Sequence, residues 1–301
     1  MAGHPVPTWT TTIPGHTGHA LAIDARGGSL FVGDGWGVAN RALRVRRLDP
    51  ATGAELATAS TRSRAALALL RFDDVLGVST DRRLLLLDPE TCETVREVEY
   101  SGVRHGQRLG ADDDRIVIAN WLSAQVVVID RATAEVVRRR LARQLSMVAA
   151  PSDLRVYSAF DGGHRRFAPD HSVVRYADGP AVTDVASDRT TWGVVASKRT
   201  DDQGLYHHPS TSIARLDEPG PTWDAPTAVS RIHVDDERSS LWLIDEKGRL
   251  LRMDQHSGRV VEANVPGQVR LVDAHAGLAI AGVPLETVAW QLSAYRLDGF
   301  N

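Results

Sequence analysis

The sequence holds a single cysteine, Cys92, so no disulfide can form within the chain. That excludes a small disulfide-stapled scaffold and fits a reducing compartment, so a cytoplasmic location is expected. The first twenty residues, MAGHPVPTWTTTIPGHTGHA, contain no Lys or Arg and no apolar run. They lack both the charged and the apolar region of a secretory signal. No stretch approaches the roughly 18 consecutive apolar residues of a membrane span, so no membrane partner is expected. Net charge is also small, −3 with 24% charged residues. Global electrostatics therefore gives no pull toward nucleic acid. No window carries a sustained apolar stripe at helical spacing. Several catalytic signatures are missing too. No cysteine pair points to quinone redox chemistry, and no serine stands in a nucleophile-elbow pattern. No carboxylate flanks the HTGH stretch (16–19) at a metal-ligand spacing. Neither a metal nor a cofactor is expected.

What the chain does have is a repeat. RRLDPATGAEL (46–56), LLLLDPETCETV (84–95) and VVVIDRATAEVV (126–137) each run an aliphatic strand into Asp, a tight turn and a second strand. IARLDEPG (213–220), LLRMDQHSGRVV (250–261) and AYRLDGF (294–300) follow the same plan. The Asp carboxylate can accept backbone N–H groups in such a turn, and Pro or Gly sets its dihedrals. The Asp residues fall at 49, 88, 130, 217, 254 and 298, giving steps of 39, 42, 87, 37 and 44. The step of 87 spans two units. Its hidden member is RRFAPD (165–170), which aligns with RRLDPA (46–51) and puts Ala168 in the Asp position. Seven units of about 40–45 residues are the spacing of propeller blades.

Each unit reads as four strands. In the first, GHALAID is innermost, followed by SLFVGDG, ALRVRRLD and GAELATAS. The sixth repeats this as AVSRIHVD, SLWLIDE, RLLRMD and RVVEANV. The seventh unit stops three residues after Asp298 and has no outer strand of its own, whereas TWTTTIP (8–14) is a spare strand ahead of the first unit. Pairing the two would leave no long open edge. The expected fold is all-β, a single seven-bladed β-propeller domain over residues 1–301, with the N-terminal strand completing the last blade.

The third unit, RIVIANWLSAQVVVIDRATAEVVRRRL (115–141), resembles the YVTN-type, or YncE-like, propeller repeat. VIAN and VVVIDRAT stand where that family has an aliphatic strand ending in Asn, a short polar loop, and a Val-rich strand ending in Ile-Asp, then Thr-Ala. The resemblance implies fold, and no catalytic residue follows from it.

A propeller has two faces. The turns after the first and third strands are short and acid-rich, as tight turns are, and carry structural roles. The connections between second and third strands, with the links between blades, ring the channel mouth, where polar groups from different elements can converge. Four long segments belong there: 33–42, 120–125, 197–212 and 282–291. They supply Trp36, Trp121, Trp290, Arg199, Tyr206, His207 and His208 as candidate contacts for a ligand. The links between blades add His16, His19, Arg62, Arg64, Arg104, His105, Gln107, Arg143 and Gln144. Arg64 and Arg104 suit an anion, and His16, His19 and His105 suit acid–base work near neutral pH. His207 and His208 sit on the longest segment, which makes its blade the most elaborated. The stretch FDGGHRRFAPDH (160–171) divides as strand end, tight hairpin, third strand and turn, so His164 and His171 lie at opposite strand ends.

The expected function is a monomeric small-molecule-binding propeller, a cofactor-free lyase, cyclase or hydrolase acting on a polar or anionic substrate. The competing expectation is a protein-interaction scaffold without catalysis. Nucleic-acid binding would need a basic stripe, which the net charge disfavours.

Overall fold

The computed structural model describes residues 5–15, 23–24, 28–34, 44–61, 68–72, 74–101, 107–120, 125–141, 145–148, 154–201, 204–218, 220–275, 277–285 and 288–296. Its strands are β1 (Trp9–Pro14), then β2 (Ile23–Asp24), β3 (Leu30–Gly33), β4 (Arg44–Leu48) and β5 (Glu55–Ser60) of the first blade. The second holds β6 (Ala68–Phe72), β7 (Val75–Ser79), β8 (Arg83–Leu87) and β9 (Thr94–Glu99). The third holds β10 (Gln107–Ala111), β11 (Arg115–Asn120), β12 (Gln125–Asp130) and β13 (Val136–Arg140). The fourth holds β14 (Leu145–Val148), β15 (Arg155–Ser158), β16 (His164–Phe167) and β17 (Val173–Ala177). The fifth holds β18 (Val182–Ser187), β19 (Thr191–Asp201), β20 (Gly204–Arg215) and β21 (Thr222–Asp224). The sixth holds β22 (Val229–Asp235), β23 (Ser240–Asp245), β24 (Leu250–Asp254) and β25 (Val260–Glu262). The last strands are β26 (Leu271–His275), β27 (Leu278–Pro284) and β28 (Ala289–Arg296).

These strands form seven four-stranded sheets, six of them consecutive meanders and the seventh ordered β1-β28-β27-β26. The fold is an all-β, seven-bladed propeller of antiparallel blades. The N-terminal strand completes the last one, with Trp9 opposite Ala294 and Pro14 opposite Ala289. Among the described residues no helix is long and apolar enough to cross a membrane.

The chain divides into two compact units, Met1–Leu109 with Ala263–Asn301, and Gly110–Glu262. In the first, apolar layers fill the space between neighbouring sheets. Trp9, Ile13, Leu30, Val32, Leu48, Ile280, Trp290 and Leu292 form one layer. Phe31, Val45, Leu69, Leu76, Val78, Leu85, Leu87 and Cys92 form the next. In the second unit, Val117, Val126, Val128, Leu145, Leu154 and Val156 join the third and fourth sheets. Trp192, Val194, Ile213, Val229, Leu241, Leu243 and Met253 join the fifth and sixth. A second strand thus faces apolar neighbours on both sides, which is why SLWLID of β23 is buried at every residue. Outer strands such as β5 alternate between exposed and half-buried residues instead.

Candidate functional site

The two ends of the strands are built differently. At one end the third strand turns into the fourth, and there the repeated Asp does local work. Asp49 Oδ1 accepts the N–H of Ala51 at 2.7 Å. Asp88 Oδ1 accepts from Thr91 through its N–H (2.8 Å) and hydroxyl (3.0 Å). Asp130 does the same with Thr133 at 2.7 and 2.9 Å, and Asp254 with Ser257 at 2.7 Å for both donors. Four residues after each Asp the backbone turns left-handed, at Gly53, Cys92, Ala134 and Gly258. The N–H of each of those residues donates back to the Asp carbonyl at 2.8–2.9 Å. The Thr and Ser donors hold the carboxyls of Asp88, Asp130 and Asp254 below the usual carboxylate range.

Three of the turns between third and fourth strands are also gripped by the preceding blade. Trp9 Nε1 donates to the Pro50 carbonyl at 2.8 Å. Trp223 Nε1 donates to that of Gln255 at 3.0 Å, and Arg139 Nε to that of His171 at 2.8 Å. All three donors sit on outer strands, each paired with the third-strand residue four before the turn's first position or its equivalent: Trp9 with Ala294, Arg139 with Val126, Trp223 with Ile213. The fourth blade, with Ala168 in place of Asp, makes a shorter turn in which Asp170 Oδ1 accepts the Ser172 N–H at 2.9 Å. Arg115 of the third blade donates to the Phe167 and Ala168 carbonyls, both at 2.8 Å.

The turns between first and second strands are wired in the same way. The Asp236 carboxylate accepts the N–H groups of Arg189 and Thr190 and the Thr190 hydroxyl, each at 2.6 Å, and the Gln255 amide at 2.9 Å. Its neighbour Asp235 differs. It is buried, its Oδ2 has no hydrogen-bond partner among the described residues, and Arg238 Nη1 lies 3.7 Å from it. Burial pushes its carboxyl above the usual range.

The opposite end carries the connections in which the candidate residues lie. His16, His19, Trp36, Arg64, Arg104, His105 and Trp121 fall outside the described residues, as do Arg62, Arg143 and Gln144. Trp290 is described, and its loop placement is corrected. It lies in β28 with 1% of its surface exposed, inside the layer shared with Trp9 and Leu30. The expected irregular segment 197–212 is likewise corrected to a long hairpin. β19 and β20 continue past their neighbours to Asp201 and Gly204, pairing Arg199 with Tyr206, Lys198 with His207 and Ser197 with His208. The Ser197 hydroxyl donates to the His208 carbonyl at 3.3 Å. Gln107 is no open-face donor either. It is buried, and its amide joins the Tyr100 hydroxyl on the Thr80 carbonyl, at 2.9 Å for the amide. That burial holds the Tyr100 phenol well above its usual range. In FDGGHRRFAPDH the second strand ends at Ser158 rather than Phe160, while β16 and the 169–170 turn stand as expected.

Two polar clusters escaped the sequence. Asp34 accepts Arg46 Nε at 2.9 Å and the Arg44 N–H at 3.2 Å. Asp184, on an inner strand, accepts the Ile232 N–H at 3.1 Å and faces Arg231 Nη1 at 3.4 Å. The partners of Asp184 lie about one blade further along the chain, and nothing in either segment signals the pairing. Among the described residues no group of three or more His, Cys, Asp or Glu could hold a metal ion.

No protein-family model and no curated protein matches the chain. Solved structures do. The Pan2 WD40 domain of Neurospora crassa is similar with a TM-score of 0.66 at 11% identity, over 98% of this chain and 96% of that one. The β-propeller domain of Myceliophteria thermophila Cps50 (Swd1) gives 0.63 at 14%, over 94% and 98%. BamB from Moraxella catarrhalis gives 0.51 at 16%, over 92% and 82%. At these identities the likeness is one of fold, and the chain has the fold of these β-propellers.

Proposed function

We propose that the chain is a single-domain binding propeller whose ligand is taken at the ends carrying the second-to-third-strand connections and the links between blades. One observation carries this reading: at the other ends the Asp carboxylates and outer-strand donors are committed to the turns themselves. The ligand is a small polar or anionic molecule. His16, His19 and His105 supply acid–base capacity, Arg64 and Arg104 clamp the anion, and Trp36 forms an apolar wall. Cofactor-free lyase, cyclase or hydrolase chemistry suits this set. Replacing His19 or His105 with Ala should abolish turnover, or weaken ligand binding about tenfold or more, while leaving the melting temperature within a degree or two. A large fall in melting temperature would make these histidines structural and overturn the reading.

The second reading is a protein-binding scaffold without catalysis. The hairpin of the fifth blade favours it, because Ala196–Asp201 and Gly204–Pro209 continue past the neighbouring strand as a two-stranded ribbon with Arg199, Tyr206, His207 and His208 along it. Shortening the hairpin to join Ala196 to Pro209 would abolish capture of a stoichiometric partner and leave small-molecule binding intact. The third unit's YVTN-type resemblance agrees with either reading.

A further inference from the structure

We propose that the ribbon of the fifth blade pairs with the same ribbon of a second copy of the chain, joining two β19 strands antiparallel about Thr200. This rests on the second reading above, that the ribbon binds protein, and identifies the protein as another copy. The arrangement is peculiar to this blade. β19 and β20 have 11 and 12 residues, whereas the second and third strands of the other blades have 4 to 8. β18 pairs with β19 only as far as Val195, and β21 with β20 only from Ser212. From Ala196 to Asp201 and from Gly204 to Pro209 the two strands pair with each other and with no third strand among the described residues.

The two edges of the ribbon differ. The Ala196 N–H donates to the Ala181 carbonyl at 2.8 Å, so the backbone of position 196 is turned to the β18 side. Backbone groups alternate along a strand, so the N–H and C=O of Lys198 and Thr200 point the same way, past the end of β18. Residues opposite one another in an antiparallel pair either both face their partner or both face away. Pro209, His207 and Leu205, opposite 196, 198 and 200, therefore direct their backbone to the other edge. There Pro209 has no N–H to give, and the ladder is irregular beside it, shifting register between Val194 and Ala196. Proline and irregular pairing close an edge to an incoming strand. Lys198–Asp201 has no proline and pairs with 204–207 without a shift.

The order of charge selects the occupant. Along this edge the chain reads Lys198, Arg199, Thr200, Asp201, with a cation and an acid flanking one threonine. Antiparallel pairing about a two-fold axis at Thr200 sets Thr200 opposite Thr200 and, on either side of it, Arg199 opposite Asp201. Threonine pairs and opposite charges are both favourable cross-strand neighbours. Each Thr200 N–H then reaches the carbonyl of the other Thr200. A parallel alignment in register would set Arg199 against Arg199 and Asp201 against Asp201, which like charges oppose. The two-fold contact is isologous and closes on two copies.

The test is sedimentation velocity on the full chain, from about 1 to 500 µM, at low and high salt. A monomer–dimer equilibrium should appear and weaken at high salt. Arg199→Asp alone and Asp201→Arg alone each bring like charges together, and each should weaken self-association about tenfold or more at unchanged melting temperature. An equimolar mixture of these two variants should dimerise again, because every cross-strand pair is then of opposite sign. So should the exchanged chain Arg199→Asp/Asp201→Arg. A chain that stays monomeric throughout, single variants that dimerise undiminished, or a mixture that stays monomeric would each overturn self-pairing. A monomeric chain that captures a different protein, and loses it when Ala196 is joined to Pro209, would overturn self-pairing and leave the scaffold reading standing. Dimerisation that persists in the shortened chain would overturn both.

Discussion

A methyl group at Gly258 would sit 2.6 Å from Cε3 of Trp223, and the residue's φ of +68° is one that L side chains rarely adopt. Gly53 stands in the same relation to Trp9, at 2.5 Å with φ +71°. The indole lies on the turn because the turn has no side chain there, and its N–H then reaches the carbonyl inside it. Where the left-handed residue is Cys92, the outer strand before it packs Ala57 and Ala59 against that layer rather than an indole. Gly258→Ala should destabilise the protein by about 1–3 kcal/mol in chemical denaturation. Adding Trp223→Ala should cost less than the two single effects combined, since the collision is then gone. Asp235 offers a second test. Its folded carboxyl titrates above its unfolded value, so whatever stability the protonated form brings is present at low pH and lost as pH rises through the folded pKa. Asp235→Asn should therefore stabilise at neutral pH by about 1 kcal/mol, with the gain shrinking toward acid.

At the level of the element, the Asp turn is the unit of construction. In Asp88, Asp130 and Asp254 the folded carboxyl titrates below its unfolded value. Their contribution is fully present above the unfolded pKa and fades as pH falls through the folded one. Replacing all three by Asn should flatten the acid limb of a melting-temperature profile below about pH 4, and lower the plateau above it. These turns were legible in the sequence, because Asp-x-x-Thr/Ser is a local arrangement that recurs at blade spacing. The grip on three of the turns was not. It uses Trp9, Arg139 and Trp223, which share a register position but no residue type, so only strand pairing reveals them as equivalents. Trp290 misled for a related reason. Its flanks, Ala289 and Gln291, read as a loop, while burial comes from β1 and the first blade, far away in sequence. The fifth-blade hairpin was hidden because KRTDDQGLYHH has no apolar face to alternate with a polar one, so nothing in its pattern marks the pairing.

On the scale of the whole molecule, β1 joins the beginning of the chain to its end. Trp9 and Ile13 are buried in the layer formed with Ile280, Trp290 and Leu292. The Thr10 and Ser293 hydroxyls meet at 3.1 Å across 283 residues. Removing residues 1–14 would uncover the outer edge of β28 and open that layer. Such a truncation should aggregate on size-exclusion chromatography and melt well below the full chain, whereas removing residues 1–6 alone should leave both unchanged. The seven units and the spare strand were read correctly from spacing, since blade count and strand bookkeeping depend only on order along the chain. Which side chains meet at the connections depends on contacts between blades, and spacing says nothing of them.

The pairing of β1 with β28 also sets a timetable for synthesis. β1 (Trp9–Pro14) leaves the ribosome well ahead of β28 (Ala289–Arg296), so at about 5–20 residues per second it waits roughly 15–60 s with its edges bare. During that interval WTTTIP is an unpaired strand with a Trp and an Ile, available to chaperones or to the β28 of a neighbouring chain. Its three consecutive threonines, polar yet β-branched, suit a pleated ladder and so favour pairing once β28 emerges.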